Sequence, residues 1–265
     1  MGPHAMKSAL RLLAAAAVLS PMTAHAHHPV SEAGAAWVEP SGYVETAVDA
    51  AAFDFGAREQ GHWQVLTTRA EVPILEQWSV SASIPIAYLR FTDGRGAVGL
   101  SDIELSTRVL LHASQHGGFI ASAVVGTTLP TGEPNDALGA GHFEAMGALL
   151  VSSQLTSSLN VYASVAYKNA IGDSLTASQA LFPHNNREFE TMQGAQWFWW
   201  PEFWTELTSR QIVSWEDSWG NLLEAGIRTG LKTSNTTRAS VSVWAPVSGS
   251  ARTEWRTNLS WAWMF

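Results

Sequence analysis

The stretch T-E-W-R-T-N-L-S-W-A-W-M-F, residues 253–265, decides the fold of this chain. Its odd-numbered positions carry the large apolar side chains Trp255, Leu259, Trp261, Trp263 and Phe265, and its even-numbered positions are mostly polar. Successive side chains of a β-strand point to opposite faces, so this stretch predicts a strand with one aromatic face. Such a face suits a strand whose solvent is lipid, and the last strand of bacterial outer-membrane barrels commonly ends on an aromatic residue. For this stretch alone, the alternative is the final strand of a soluble sandwich.

The composition favours the membrane interpretation. Charged residues make up 14% of the chain, against about 25% in an ordinary soluble domain. The chain contains 13 Trp, a residue that concentrates at membrane interfaces. It contains no Cys, which excludes thiol catalysis and Cys-ligated metal sites, and its net charge of −8 argues against nucleic acid as a partner.

Residues 1–26 have the pattern of a cleaved signal peptide. Lys7 and Arg11 supply the positive start, residues 12–19 the apolar core, and Ala24-His25-Ala26 the cleavage pattern. The apolar core is well short of the ~20 residues that a spanning helix needs, which disfavours the alternative of an anchor helix. An exported chain of this kind is periplasmic, secreted or an outer-membrane barrel.

Residues 27–41 are predicted to form a periplasmic linker before the barrel of residues 42–265. His27 and His28 are weak candidates for binding Cu or Zn. A single His pair lacks the further ligands of a defined site, so the favoured interpretation is a linker without metal. We expect no cofactor.

Alternation with a period of two runs through the chain from Gly42 onward and predicts an all-β protein. Twelve stretches show it: residues 44–48, 66–72, 78–88, 103–111, 119–129, 143–155, 159–167, 193–200, 204–215, 223–231, 241–247 and 253–265. The eighth and ninth depend on a turn placed at Trp200–Phe203, because Pro201 is unwelcome inside a paired strand. An even strand number is required when both termini are periplasmic, and this turn makes the number twelve.

The predicted connections alternate between short and long. Short ones fall near 75–77, 112–117 and 156–158, and long ones near 56–61, 92–100, 130–141 and 172–192. Bacterial barrels keep their periplasmic turns short and their extracellular loops long. The sequence therefore predicts an antiparallel, up-and-down transmembrane β-barrel of twelve strands whose first and last strands pair.

Three segments resemble a known family. They are V-G-L-S-D-I-E-L-S-T-R (98–108), G-T-T-L-P-T-G-E (126–133) and V-Y-A-S-V-A-Y-K-N (161–169). In order and spacing they resemble the G-x-x-D, L-P-T-G and Y-x-N-x-G-Y segments of the transporter-like outer-membrane family called "MetA-pathway of phenol degradation". In the third segment Ser164 and Ala166 replace the usual Asn and Gly. The resemblance implies an outer-membrane barrel with a loose link to uptake of aromatic compounds.

The parity opposite to the apolar one carries charges of both signs and is predicted to face the lumen. These candidates are Arg69, Glu71, Glu104, Arg108, Glu144, Lys168, Glu206, Arg210, Glu224, Arg228, Glu254 and Arg256. Twelve strands enclose more space than the roughly eight whose side chains fill a barrel, and less than the 16–18 of porins. The pattern predicts a narrow channel for passive uptake of small polar or aromatic solutes. The alternative, compatible with transport, is that these charges pair only to satisfy a buried polar interior.

Two other functions remain open at this stage. A structural or adhesive barrel would use its long 172–192 loop to close the mouth or to contact another protein. A lipid hydrolase would need Ser, His and an acid together at the rim, and the histidines stand in no recognisable catalytic motif. His142 and Glu144 share a strand face, where we expect solvent-facing rim residues rather than a metal pair. We expect no enzyme activity and no catalytic residue.

The expected location is the outer membrane of a Gram-negative bacterium. The expected partners are the lipid bilayer, a small-molecule solute and the barrel-assembly machinery. Trp261, Trp263 and Phe265 form the candidate membrane-insertion signal that this machinery would recognise.

Overall fold

The structure is a computed structural model that describes residues 40–54, 60–114, 118–133, 136, 138–171, 187–214, 221–249 and 253–265. The predicted signal peptide, the pair His27 and His28, and most of the predicted 172–192 loop lie outside this part of the chain. Within it, no helix is long and apolar enough to cross a membrane.

The described residues form an antiparallel sheet. Its strands are β1 (Tyr43–Asp54), β2 (Gln60–Leu75), β3 (Trp78–Phe91), β4 (Gly96–Leu100), β5 (Ile103–Ala113), β6 (Phe119–Leu129), β7 (Phe143–Thr156), β8 (Leu159–Ile171), β9 (Arg187–Trp200), β10 (Phe203–Ser214), β11 (Leu222–Lys232), β12 (Thr237–Gly249) and β13 (Thr253–Met264). Consecutive strands pair, except that β4 and β5 both pair with β3, and β1 pairs with β13 along Tyr43↔Met264 to Ala52↔Trp255. The sheet therefore closes into an up-and-down barrel, and the predicted pairing of first and last strands is confirmed.

The wall has twelve positions because β4 and β5 share one of them. Residues 86–90 of β3 pair with β4, and residues 78–83 of β3 pair with β5. Between β4 and β5 the chain breaks at Ser101 and Asp102, and the Ser101 amide donates to the Pro85 carbonyl at 2.9 Å. Inward side chains have odd numbers from β1 to β4 and even numbers from β5 onward, so the break also changes the parity.

The predicted strand number of twelve is confirmed, and two predicted loops are corrected. The loop placed at 92–100 contains β4, which the sequence hides because Gly96 and Gly99 weaken the apolar alternation. The loop placed at 172–192 is shorter, because β9 begins at Arg187 rather than near residue 193. The predicted turn at Trp200–Phe203 is where β9 ends and β10 begins.

The outward face of the barrel is an exposed apolar surface. Val48, Leu66, Leu105 and Leu259 are among its side chains, each at least 40% exposed. A continuous exposed apolar belt of this kind is stable against lipid and not against water. The barrel is therefore built to span a bilayer.

Outward aromatic side chains concentrate at the end of the barrel where β1 begins and β13 ends, called here the terminal end; the opposite end is the loop end. The terminal-end set consists of Trp78, Phe119, Trp197, Trp199, Trp261, Trp263 and Phe265, all exposed. Tyr88, Phe143 and Trp255 stand nearer the loop end. Aromatic girdles at the two interfaces are typical of membrane barrels.

Candidate functional site: the barrel lumen

The predicted lumen-lining residues all fall on the inward parity. They are Arg69, Glu71, Glu104, Arg108, Glu144, Lys168, Glu206, Arg210, Glu224, Arg228, Glu254 and Arg256. Glu254 lies at the loop end of β13 and is exposed, whereas Glu71, Glu206, Glu224 and Arg228 are buried. These residues therefore differ widely in their access to water.

One group of ion pairs spans β8 to β11. Lys168 Nζ lies 3.3 Å from Glu188 and 3.2 Å from Glu190. Arg210 bridges Glu190 at 2.9 Å and Glu224 at 3.5 Å. The sequence did not indicate Glu188 or Glu190, because both fell inside the predicted loop. Extending the alternation back from Met192 would have found them.

A second ion pair is shut away from water. Arg228 lies 3.7 Å from Glu206, with side-chain exposures of 2% and 0%. The Tyr162 hydroxyl donates to Glu206 at 2.8 Å and also meets the Thr208 hydroxyl at 2.8 Å. Removing charges from water is costly, so such a pair persists because hydrogen bonds and the opposite charge offset that cost.

The β2–β5 side of the lumen holds two further pairs. Arg108 lies 3.3 Å from Glu71, which also accepts a hydrogen bond from Ser79 at 2.6 Å. Arg69 lies 3.7 Å from Glu104, with side-chain exposures of 21% and 39%. Since both side chains point inward, solvent reaches this pair from the lumen.

Aromatic rings cover the inner surface from β8 to β12. Trp244, Gly226, Thr208, Gly194 and Tyr162 follow one another in register across five strands. A Cβ on Gly226 would lie 2.5 Å from the Trp244 ring, and one on Gly194 would lie 2.3 Å from the Tyr162 hydroxyl. Both rings therefore lie flat on the wall over glycines, and any larger residue there would displace them.

A third ring packs on a glycine in the same way, and apolar side chains of β6 and β7 adjoin the lining. Trp204 lies over Gly230, where a Cβ would come within 2.2 Å of the indole. Trp244 and Tyr162 also belong to a buried cluster with Val124, Leu150 and Met192. Part of the wall from β6 to β12 thus carries an apolar lining, beside the partly exposed side chains of Lys168 and Arg210. A second buried apolar cluster, which includes Phe53, Trp63, Leu89 and Leu138, covers the loop-end part of β1–β3.

The loop between β6 and β7 folds back against the break between β4 and β5. The two carboxylate oxygens of Asp102 accept hydrogen bonds from the Gly132 amide at 2.8 Å and the Ala140 amide at 2.6 Å. The Thr131 hydroxyl donates to the Ser101 carbonyl at 2.8 Å. The first two segments that carry the family resemblance therefore bind each other. Leu138 of this loop is buried beside Gly99, so the loop covers part of the loop-end mouth.

His142 corrects one expectation. It is 6% exposed, so it is a buried residue and not a solvent-facing rim residue. Its Nε2 lies 3.5 Å from Glu144. Among the described residues no group of three or more His, Asp or Glu side chains is placed to hold a metal ion.

Solved structures with the same fold include outer-membrane channels and porins, and also the β domain of a Bordetella autotransporter. An outer membrane channel from Pseudomonas putida F1 superimposes with a TM-score of 0.68 at 10% identity, covering 93% of this chain and 100% of that one. The NanC porin gives 0.58 at 7% identity, over 85% and 100% of the two chains. The KdgM porin, in complex with disordered oligogalacturonate, gives 0.53 at 8% identity, over 84% and 99%. Neither a protein-family model nor a curated protein sequence matches the chain.

Proposed function

We propose that this protein is a passive channel for small solutes in the outer membrane of a Gram-negative bacterium. The observation that carries the proposal is the Arg69–Glu104 pair, a solvent-accessible pair of charges inside a barrel with an apolar exterior. A barrel that served only as a scaffold would gain nothing from accessible charges in its interior. The fold shared with outer-membrane channels and porins supports the same conclusion.

The conduction path in this proposal passes the Arg69–Glu104 pair. Asp49 and Thr67 lie on the neighbouring inward positions. Across the lumen the Arg228–Glu206 pair is buried, and Tyr162 and Trp244 lie flat against the wall. Adjacent charges of both signs favour small polar or dipolar solutes over lipids.

The resemblance to the phenol-degradation family deepens this proposal. Its first two motif segments meet through Asp102, Thr131 and Gly132, which gives the shared residues a structural reason to occur together. On this basis we place the chain in that family, as a non-enzymatic channel. The lipid bilayer is its surrounding partner, and the barrel-assembly machinery would insert it through the signal Trp261, Trp263 and Phe265.

Single cysteines test the path, because the natural chain contains none. The purified barrel is inserted into planar bilayers, and a charged, membrane-impermeant thiol reagent is added. Glu104→Cys is expected to react and to lose at least half of the current, since its side chain is accessible. Ser122→Cys, which places the thiol at a fully buried inward position of β6, is expected to keep its current.

The proposal is contradicted in two ways. A folded, inserted barrel that leaves liposomes impermeable to small sugars and amino acids would favour a structural or adhesive role. Equal loss of current at residues 104 and 122 would place the path elsewhere in the lumen.

A further inference from the structure

Three lumenal cations of β11–β13 differ from the other lumenal cations in having no acidic partner. Arg69, Arg108, Lys168, Arg210 and Arg228 each lie within 4 Å of a carboxylate. Lys232, Arg238 and Arg256 form no ion pair among the described residues.

Lys232 and Arg238 lie directly opposite each other in the β11–β12 register, on the inward face near the terminal end. Like charges at facing positions destabilise a sheet. Along this row toward β1 the first acid is Glu45, and the whole of β13 lies between it and Arg238. On the other side the Lys232 amide donates to the carbonyl of Glu202, an exposed turn residue with which Lys232 forms no ion pair. The fold therefore maintains two facing cations that repel each other.

The guanidinium of Arg238 is also short of acceptors. Its Nε and Nη1 are buried and donate no hydrogen bond to the described residues. Leaving such buried donors unsatisfied destabilises the protein. An anion seated between the two cations removes both penalties at once.

The same wall presents further unpaired groups deeper in the lumen. Asn258, 2% exposed, has neither side-chain oxygen nor nitrogen bonded to a described residue. Ser242 faces it in register and its hydroxyl is likewise unbonded. Donors thus continue along β12 and β13 beyond the cation pair.

We propose that Arg238 and Lys232 form a binding site for a small carboxylate anion on the β11–β13 wall of the lumen. The planar guanidinium matches the two oxygens of a carboxylate, and Lys232 adds a point charge from the facing strand. A solute held here lies near the terminal end of the channel. The site goes beyond the proposed function, since binding at this wall does not require conduction.

Saturation-transfer NMR on the barrel in detergent micelles tests this site without a conductance measurement. The probe is propionate, and propionamide is its neutral counterpart of the same shape. Propionate is expected to bind the wild-type protein, and propionamide is expected not to compete. Arg238→Gln should weaken propionate binding by about tenfold or more, the loss of one charge-assisted interaction. Arg95→Gln, which removes the same charge at an exposed turn, should leave it unchanged.

Each variant is first checked for the gel-mobility shift of a folded barrel on boiling. If Arg238→Gln does not fold, Lys232→Gln is measured instead, with the same expected weakening. Propionate binding that is equal in wild type and variant overturns the site. Inorganic phosphate is added as a competitor. If it binds the site more tightly than propionate, the carboxylate assignment is overturned. A conducting channel without propionate binding rejects this site alone, whereas binding in a barrel that does not conduct rejects only the proposed function.

Discussion

Glu206 and Glu104 are both lumenal carboxylates paired with an arginine, yet their surroundings differ. Glu206 has a side-chain exposure of 0% and also accepts a hydrogen bond from Tyr162. The side chain of Glu104 is 39% exposed and lies 3.7 Å from Arg69, the same distance as in the Glu206 pair. Water screens the Arg69–Glu104 pair, which therefore contributes little to stability. Water does not reach the Arg228–Glu206 pair, so each of its charges depends on the other.

Glu206→Gln should therefore destabilise the barrel strongly, by about 3 kcal/mol or more, because it leaves Arg228 buried without its counter-charge. Glu104→Gln is the matched control and should cost about 1 kcal/mol or less. Denaturant unfolding of both variants in lipid vesicles measures the difference. Equal effects would mean that water reaches both pairs alike.

The glycines beneath the aromatic lining lead to a second prediction at this scale. Gly226→Val should displace the Trp244 ring, because even a Cβ would lie 2.5 Å from it. The ring can only move toward the lumen, so the channel current should fall. Gly147→Val is the matched control, since nothing lies within 4 Å of a Cβ there. A current that falls equally in both variants would argue against a flat ring on the wall.

At the scale of elements, the alternation of apolar and polar residues predicts the strands well where they cross the lipid. There each strand must present apolar side chains outward and polar ones inward, so residues 78–88 and 119–129 are unmistakable. Beyond the lipid that requirement ends. At the first residues of β9 and β12, 187–190 and 237–240, the outward face is no longer consistently apolar, and the sequence therefore did not indicate Glu188, Glu190 or Arg238 as lumenal.

The lumen could be predicted as a list of inward residues but not as a set of contacts. Parity gives the direction of each side chain, whereas pairing depends on register between strands far apart in the chain. The flat packing of Tyr162 and Trp244 also needs glycines on other strands at the same height. No local pattern contains that information.

The Asp102 carboxylate accepts two backbone hydrogen bonds from the loop between β6 and β7, which gives a prediction for this element. Asp102→Ala removes the acceptor of the Gly132 and Ala140 amides, so residues 130–141 should leave the mouth. We expect faster proteolysis within this loop and a larger channel current, with the barrel still resistant to denaturant. Asp93→Asn, at an exposed turn bonded to Arg95, is the control. Unchanged proteolysis would show that Leu138 packing alone fixes the loop.

At the scale of the whole molecule, one seam joins the first and last strands of the barrel, β1 and β13. The Phe265 amide donates to the Gly42 carbonyl at 3.0 Å, and β1 and β13 pair along their length. A closed barrel has no free strand edge, so closure satisfies every wall position at once. The seam is therefore needed for assembly, while the lumenal side chains of β13 are not.

Deleting Phe265 should reduce the folded, heat-modifiable fraction in the membrane severalfold, because it removes a seam hydrogen bond and a girdle aromatic. Arg256→Ala should assemble normally and alter only permeation, since its guanidinium faces the lumen and stacks on Trp244 at 5.1 Å. Membrane fractionation followed by gel mobility distinguishes the two. Assembly lost in Arg256→Ala, or kept at full yield without Phe265, would contradict this division.

The claim that the lumen conducts is tested most directly by single-channel recording of the wild-type barrel in a planar bilayer. Folding is verified beforehand by the mobility shift on boiling. A narrow, partly lined lumen predicts small, discrete current steps that are well below those of 16–18-stranded porins. A bilayer that stays electrically sealed over many verified insertions would contradict the channel.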